Sequence, residues 1–166
     1  MVDDVSQKQL KILVTGGTGF LGRHLLPALA GENYFVKVLV RPGKEPDLPR
    51  GNFQIVRGGL DDTSSLRAAC AGCGVAIHLA AVIEARAKDE YRKVNVSGTK
   101  NLAESCRSEN LKQFIFISSA NTVSGQSRYA ASKREAEEIV INSGLNYTII
   151  RPTFLYGPGD PEISVF

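Results

Sequence analysis

Tyr129 and Lys133 are the two side chains of this sequence whose types and spacing best suit acid–base chemistry. Residues four apart on a helix share one face, so a phenol and an ammonium group at this spacing lie together. A free Tyr phenol has a pKa near ~10 and is a poor base at neutral pH, whereas a neighbouring cation favours the phenolate and lowers that pKa. The pair predicts proton transfer at a substrate oxygen; the alternative is a chance match on a surface helix.

A glycine-rich turn at Gly16, Gly19 and Gly22 follows a β-rich run and leads into a helical pattern. Gly16 allows a tight turn, Gly19 lets the backbone approach a pyrophosphate, and Gly22 lets the helix pack closely on the sheet. Phosphates then meet N–H groups at a helix N-terminus, where the helix dipole favours negative charge. The turn predicts dinucleotide binding, and the alternative is a structural turn without a ligand.

The elements that must position these residues alternate between short apolar runs and longer amphipathic stretches, which is typical of an α/β fold with a parallel sheet. The predicted strands are Leu10–Thr15, Phe35–Val40, Phe53–Val56, Val75–Ala80, Phe114–Ser118 and Tyr147–Ile150. The predicted helices are Phe20–Ala30, Thr63–Ala71, Asp89–Glu109 and Tyr129–Asn142. Pro27 is expected to kink the first helix or to cost it a hydrogen bond, the Asp62–Ser65 segment supplies cap residues for the second, and Gly144 is placed to stop the fourth. Arg41–Gly51 and Asn121–Arg128 are predicted to be connections.

Composition limits the classes of function. The 166 residues suit one domain, and 43% hydrophobic and 22% charged residues are ordinary for a soluble protein without a membrane span. A net charge of +3, spread along the chain, argues against nucleic-acid binding. The Met1–Lys11 segment lacks the pattern of a secretory signal, which favours a cytoplasmic protein. Three cysteines, including Cys70 and Cys73, are interpreted as buried small residues rather than redox or metal ligands, and no metal site is predicted.

The string TGGTGFLG resembles the extended branch of the short-chain dehydrogenase/reductase superfamily, the epimerase/dehydratase group, and the matching motifs continue from Leu10 onward. This resemblance implies a Rossmann-type doubly wound parallel sheet of about six strands with helices on both faces. It also implies an NAD(P)-binding domain over residues 1–166, with cofactor contacts from Gly16, Thr18, Gly19, Phe20, Leu21, Gly22, Leu60, Asp61, Leu79, Ala80, Ala81, Asn95, Ser118, Tyr129, Lys133, Arg151 and Pro152. Asp61 could equally cap a helix, and His78 is interpreted as a core residue.

Arg41 follows the second predicted strand, where the family often has an Asp that binds the adenosine ribose of NAD. A guanidinium group there can pair with a 2′-phosphate, so NADP is preferred to NAD; the alternative is a solvated loop charge.

The resemblance assigns the catalytic roles as well. Tyr129 is the acid/base, and Ser119 is the catalytic hydroxyl. Lys133 and a bound nicotinamide cation lower the pKa of Tyr129, and Lys133 also holds the nicotinamide ribose. Ser118 takes a cofactor-side role, with the opposite order of the two serines as the alternative.

The implied function is hydride transfer at a carbonyl or secondary alcohol, by an oxidoreductase or a sugar-nucleotide epimerase or dehydratase. A sugar nucleotide is the first substrate expected, and a small ketone or a flavonoid- or steroid-like alcohol the second. The rival interpretation is a non-catalytic dinucleotide-binding module. The family's C-terminal substrate domain is not expected in this chain, so the chain is expected to be inactive alone. A homodimer through the helices at Asp89–Glu109 and Tyr129–Asn142 is also implied.

Overall fold

The central feature is a parallel sheet of six strands in the order β3-β2-β1-β4-β5-β6. The computed structural model describes residues 9–32, 34–87 and 89–160. The strands are β1 (Lys11–Thr15), β2 (Phe35–Val40), β3 (Gln54–Arg57), β4 (Val75–His78), β5 (Gln113–Ile117) and β6 (Tyr147–Ile150). The chain builds outward from β1 to β3 and then returns to place β4 beside β1. The strand order therefore reverses between β1 and β4, where doubly wound sheets bind ligands, and the predicted α/β fold class is confirmed.

In the described part of the chain, five helices connect the strands: α1 (Phe20–Gly31), α2 (Thr63–Cys70), α3 (Gly98–Ser108), α4 (Asn121–Ser124) and α5 (Arg128–Ile141). A 3₁₀ turn, Glu45–Asp47, follows β2, and a π-helical turn, Arg92–Ser97, leads into α3. Asp62 caps α2 as predicted, because its carboxylate accepts from the backbone N–H groups of Ser64 and Ser65. The helix α1 runs through Pro27 and ends at Gly31.

Both faces of the sheet are covered, as alternation along β1 shows. Leu13 joins one core cluster with side chains of α2, α3 and α5, while Ile12 and Val14 join a second cluster with Leu26 of α1. All four residues are at most 4% exposed. Successive side chains of a strand point to opposite faces, so one apolar run supplies both cores.

Several predicted boundaries need correction. The strand predicted to reach Ala80 ends at His78, because its partner β1 ends at Thr15, whose carbonyl accepts a last hydrogen bond from the Leu79 N–H at 3.1 Å. The long helix predicted over Asp89–Glu109 contains the π-helical turn. Smaller shifts of one residue or two occur at other ends, as is common for element boundaries.

Two segments predicted as plain connections contain helical structure. The predicted Asn121–Arg128 loop begins with α4, and α5 starts at Arg128. The predicted Arg41–Gly51 connection contains the Glu45–Asp47 turn, and Leu48 packs against the core beside α1. The N-terminal residues 1–8, on which part of the argument against a secretory signal rests, lie outside the described residues.

Candidate active site

Two adjoining cavities of about 540 and 390 Å³ lie at the carboxyl ends of the strands. Both are lined by Gly16, Gly19, Leu79 and Ala81, so the glycine turn forms the boundary between them. We call the first the adenosine-side cavity and the second the catalytic-side cavity. Together they form one groove that crosses the sheet where the strand order reverses, which is the expected position of a dinucleotide.

The glycine turn is packed too tightly for a side chain at Gly16 or Gly22. Gly16 has a φ of +77°, and a Cβ there would lie 2.5 Å from the backbone nitrogen of Ala80. A Cβ on Gly22 would lie 2.4 Å from the carbonyl oxygen of Gly16. Only glycine fits either position, so the strand-to-helix turn and the close packing of α1 follow from these residues.

The N-terminus of α1 opens into the groove. Its N-cap residue, Gly19, offers no side chain, and no acidic residue of the first turn competes for the helix N–H groups. Phe20, Leu21 and Gly22 line the catalytic-side cavity. The positive end of the helix dipole therefore points at the place where the two cavities meet, which suits a diphosphate.

The adenosine-side cavity is lined by Thr18, Arg41, Leu60, Asp61 and Ala80 among others. The side chain of Arg41 is exposed at its rim. Asp62 rather than Asp61 caps α2, which removes the alternative interpretation of Asp61 as a cap. Gly98 of α3 allows Leu60 to approach, because a Cβ there would lie 2.8 Å from that side chain.

Ser119, Tyr129 and Lys133 all line the catalytic-side cavity. Tyr129 and Lys133 come from α5, and Ser119 follows β5. Burial raises the pKa of the Tyr129 phenol, a hydrogen bond with Ser119 lowers it, and the nearby Tyr91 adds to the increase. The net shift is upward in the chain without a cofactor, and the lowering expected from Lys133 together with a bound nicotinamide cation stays a prediction.

The Lys133 ammonium group is engaged with β5. Its side chain is only 2% exposed, donates to the carbonyl of Ile117 at 2.7 Å, and lies 4.1 Å from the ring centre of Phe116. Burial lowers its pKa to about 8, and the carboxylate of Glu137 opposes that shift. The ammonium group is thus held against β5, where it borders the cavity.

Ser118 and Arg151, both predicted to contact the cofactor, point their polar groups elsewhere. The Ser118 hydroxyl donates to Glu137 at 2.5 Å, and Arg151 forms a two-pronged ion pair with the same carboxylate at 2.9 and 2.7 Å. Burial opposes the ionisation of Glu137, but its bonds with Arg151 and Ser118 prevail and its pKa lies below the usual value. Ser118 lines the catalytic-side cavity, whereas Arg151 lies outside its lining.

Asn95, predicted to help fix the site, is 1% exposed. It bonds the backbone N–H and carbonyl of Val82 at 2.8 and 2.9 Å and the Ser132 hydroxyl at 3.0 Å. It therefore ties the π-helical turn and α5 to the segment after β4. Among the predicted cofactor residues that the structure describes, Asn95 and Arg151 are those that line neither cavity; Pro152 and the others do.

His78 is fully buried, as predicted for a core residue. Its ring nitrogens lie 2.6 Å from the Thr15 hydroxyl and 3.0 Å from the Thr99 hydroxyl. Burial, and secondarily the charge of Lys133, lower its pKa to about 3. This histidine is therefore neutral at physiological pH, and its bond with Thr15 joins β4 to β1, where the strand order reverses.

Several residues of the site were not predicted from the sequence. Glu137 is one; its signal was its spacing, four residues after Lys133 on the same helix face. Ile83, Phe154 and Leu155 also line the catalytic-side cavity, and no local pattern predicts them because they lie in irregular segments.

The described residues contain no cluster of metal-ligand side chains and no helix long and apolar enough to cross a membrane. Cys70, Cys73 and Cys106 are buried free thiols, and the sulfur atoms of Cys70 and Cys106 lie 3.6 Å apart. Hydrogen bonding with Cys70 and burial raise the pKa of the Cys106 thiol, which disfavours the reactive thiolate.

Comparison with known proteins agrees with this geometry. A ceramide reductase of Caulobacter vibrioides is 37% identical over 154 residues, which cover 91% of this chain and 48% of the relative. A UDP-glucose 4-epimerase of Vibrio cholerae is 32% identical, over 89% of this chain and 52% of the relative. The chain thus spans about half the length of the curated relatives it matches.

A solved structure of the UDP-glucuronic acid 4-epimerase from Bacillus cereus in complex with NAD superposes with a TM-score of 0.74 at 28% identity, covering 90% of this chain and 58% of that one. The model of the NAD dependent epimerase/dehydratase family matches residues 12–165. The chain therefore belongs to the NAD dependent epimerase/dehydratase family.

Proposed function

We propose that this chain binds a nicotinamide dinucleotide along its groove and serves hydride transfer at a carbonyl or secondary alcohol. The observation that carries the proposal is the meeting of Ser119, Tyr129 and Lys133 with the glycine turn in one cavity. The cradle fits the cofactor, since Gly19, the N-cap residue of α1, lines both cavities without a side chain and the dipole of α1 favours the charge of a diphosphate.

When bound, the nicotinamide supplies or accepts the hydride. Tyr129 then gives its phenolic proton to the substrate oxygen, or takes it back in the reverse direction, and Ser119 donates a hydrogen bond to the same oxygen. Lys133 borders the place of the nicotinamide ribose and stabilises the phenolate by its charge. Burial raises the pKa of the Tyr129 phenol in the protein alone, so the phenol holds its proton at neutral pH.

For the cofactor, we infer a preference for NADP. The guanidinium group of Arg41 lies free at the rim of the adenosine-side cavity, where a 2′-phosphate would project. Asp61 lines the same cavity and is the carboxylate through which NAD would be accepted instead.

For the substrate, we infer an apolar molecule that carries the reacting carbonyl. Ile83, Phe154 and Leu155 line the catalytic-side cavity while 69%, 67% and 44% exposed. Exposed apolar side chains beside a reactive site mark a surface that an apolar ligand covers. The similarity to a reductase named for ceramide supports this class, whereas the similarity to a UDP-glucose epimerase supports a sugar nucleotide.

The catalytic role of Tyr129 is tested by turnover of the longest natural form of the protein that contains this chain. Tyr129→Phe removes the transferable proton and should lower kcat by about 100-fold to 10,000-fold. Tyr147→Phe, on the exposed face of β6, is the matched control and should keep wild-type turnover. Equal turnover of Tyr129→Phe and wild type would refute the assignment, and cofactor binding without turnover by the wild type would favour a non-catalytic module.

The substrate class is tested with a long-chain alkyl ketone and UDP-glucose in the same assay. Phe154→Ser should raise KM for the ketone, because it removes apolar contact surface at the cavity. Tyr156→Ser is the matched control on the same segment, since Tyr156 is similarly exposed but lines neither cavity. Turnover of UDP-glucose alone, unchanged by Phe154→Ser, would replace the apolar class with a sugar nucleotide.

A further inference from the structure

Glu137 is a buried carboxylate for which hydride transfer has no direct use. It is 6% exposed and lies on α5, one helical turn after Lys133 and two after Tyr129. A charge in such a place is costly unless it is paired and hydrogen-bonded. Its partners therefore indicate what it holds together.

The first partners lie at the end of β5. Lys133 donates to the carbonyl of Ile117 at 2.7 Å, and the hydroxyl of the next residue, Ser118, donates to Glu137 at 2.5 Å. Lys133 and Glu137, one helical turn apart, thus bind two consecutive residues at the end of β5. Ser119 comes next in the chain, opposite Tyr129, which lies one turn earlier on the helix.

The second set of partners lies beyond β6. Arg151 gives both prongs of its guanidinium group to the Glu137 carboxylate, at 2.9 and 2.7 Å. The backbone on either side of Arg151 also holds the Ser119 segment, since Ser118 donates its N–H to Ile150 and Ala120 donates to Pro152. One carboxylate therefore joins α5 to the ends of β5 and β6 on both flanks of Ser119.

Thr122 of α4 completes the arrangement. Its hydroxyl oxygen lies 2.8 Å from the carbonyl oxygen of Ser119 and 3.3 Å from Oε1 of Glu137, and it has one proton to donate, so the bond to Ser119 is the stronger. A side chain of α4 thus holds the backbone of Ser119, and a side chain of α5 holds the hydroxyl of Ser118.

We propose that Glu137 is a positioning residue that sets the Ser119 hydroxyl against the Tyr129 phenol. The inference rests on the proposed function of Tyr129 and Ser119. An ionised carboxylate accepts from Ser118 and from both prongs of Arg151 at once, whereas a neutral amide offers one acceptor oxygen and turns an N–H₂ group toward a donor. The pair of oxygens and the charge are both required.

The test compares Glu137→Gln with Glu138→Gln, which changes the adjacent, exposed carboxylate. The titration of Tyr129, followed by NMR of protein labelled at the tyrosine ring, is the first measurement. Loss of the Ser119 contact should raise the pKa of Tyr129 above its wild-type value in Glu137→Gln, and Glu138→Gln should titrate like wild type. Turnover is the second measurement: kcat should fall about 100-fold in Glu137→Gln, as expected for a misplaced catalytic group, with KM for the cofactor unchanged.

If Glu137→Gln does not fold, Ser118→Ala takes its place as the test. It removes the Ser118 hydroxyl that donates to Glu137 without changing charge, and it should likewise raise the pKa of Tyr129 and lower kcat. An unchanged Tyr129 titration in a folded Glu137→Gln, or in Ser118→Ala, would overturn the proposal. A loss of turnover accompanied by an equal loss of cofactor affinity would also overturn the proposal, because a merely structural role would give that result. Absence of turnover in the wild type would instead refute the proposed function, and the Tyr129 titration would still decide the role of Glu137.

Discussion

At the scale of single residues, the site depends on which polar groups are free and which are already engaged. Tyr129 and Ser119 border the cavity with hydroxyl groups directed at each other. Ser118, Arg151 and Asn95 have their polar groups bound to protein. We therefore infer direct roles for Tyr129 and Ser119, and supporting roles for Ser118, Arg151 and Asn95.

Arg41 carries the choice between the two cofactors. Its guanidinium group should pair with the 2′-phosphate of NADPH, so Arg41→Ala should weaken NADPH binding by about tenfold to a hundredfold and leave NADH binding almost unchanged. Titration calorimetry with both cofactors measures the two affinities. Arg50→Ala, at an exposed arginine outside the cavity lining, is the control. Equal losses for both cofactors in Arg41→Ala would remove the 2′-phosphate argument.

His78 makes the free energy of unfolding depend on pH. Its pKa is about 3 in the folded chain against 6.5 when exposed, so the unfolded chain binds a proton between these values that the folded chain does not. The contribution to stability is complete above pH 6.5 and is lost as the pH falls toward 3, by at most about 1.4 kcal/mol for each pH unit.

Denaturant unfolding at several pH values checks this effect. His78→Gln should flatten the decrease in unfolding free energy below pH 6.5, and His24→Gln, at the chain's other, exposed histidine, should retain it. Parallel pH dependences for wild type and His78→Gln would show that the buried imidazole is not responsible.

At the scale of elements, the sequence predicted what local patterns encode. Apolar runs rich in β-branched residues predicted all six strands, and Asp62 and the glycine turn marked two helix starts. The helix α4 and the π-helical turn were missed, because their stability comes from contacts distant in sequence. Arg134 donates to the carbonyls of Thr122 and Gly125, and Asn95 bonds Val82 and Ser132. Such partners cannot be identified from a single local window.

The turn between β1 and α1 depends on its glycines. Gly16→Ala places a methyl group 2.5 Å from the nitrogen of Ala80 at a φ of +77°, and it should lower the unfolding free energy by about 1–3 kcal/mol. Gly31→Ala, at the end of α1 with open space around it, should instead raise it by up to about 1 kcal/mol. Urea unfolding of the two variants measures both changes, and a Gly16→Ala protein as stable as wild type would contradict the packing described for this turn.

At the scale of the whole molecule, the fold brings two distant sequence motifs to one groove. The glycine turn follows the central strand β1, and α5 packs beside β5 and β6 on the other side of the switch point. Because β4 and β5 lie between them in a fixed order, the α/β topology itself sets the distance between the phosphate turn and Tyr129. The chain spans about half of its relatives, so the substrate and the complete reaction remain proposals, while the groove is formed by this chain.

The central claim is that this groove binds a nicotinamide dinucleotide. Titration calorimetry of the 166-residue chain with NADPH and with NADH tests it most directly. The account predicts binding of one cofactor molecule per chain, tighter for NADPH, and loss of binding in a folded Gly19→Val variant, whose side chain would occupy the phosphate position at the start of α1. Absence of binding with both cofactors, or wild-type affinity in Gly19→Val, would contradict it.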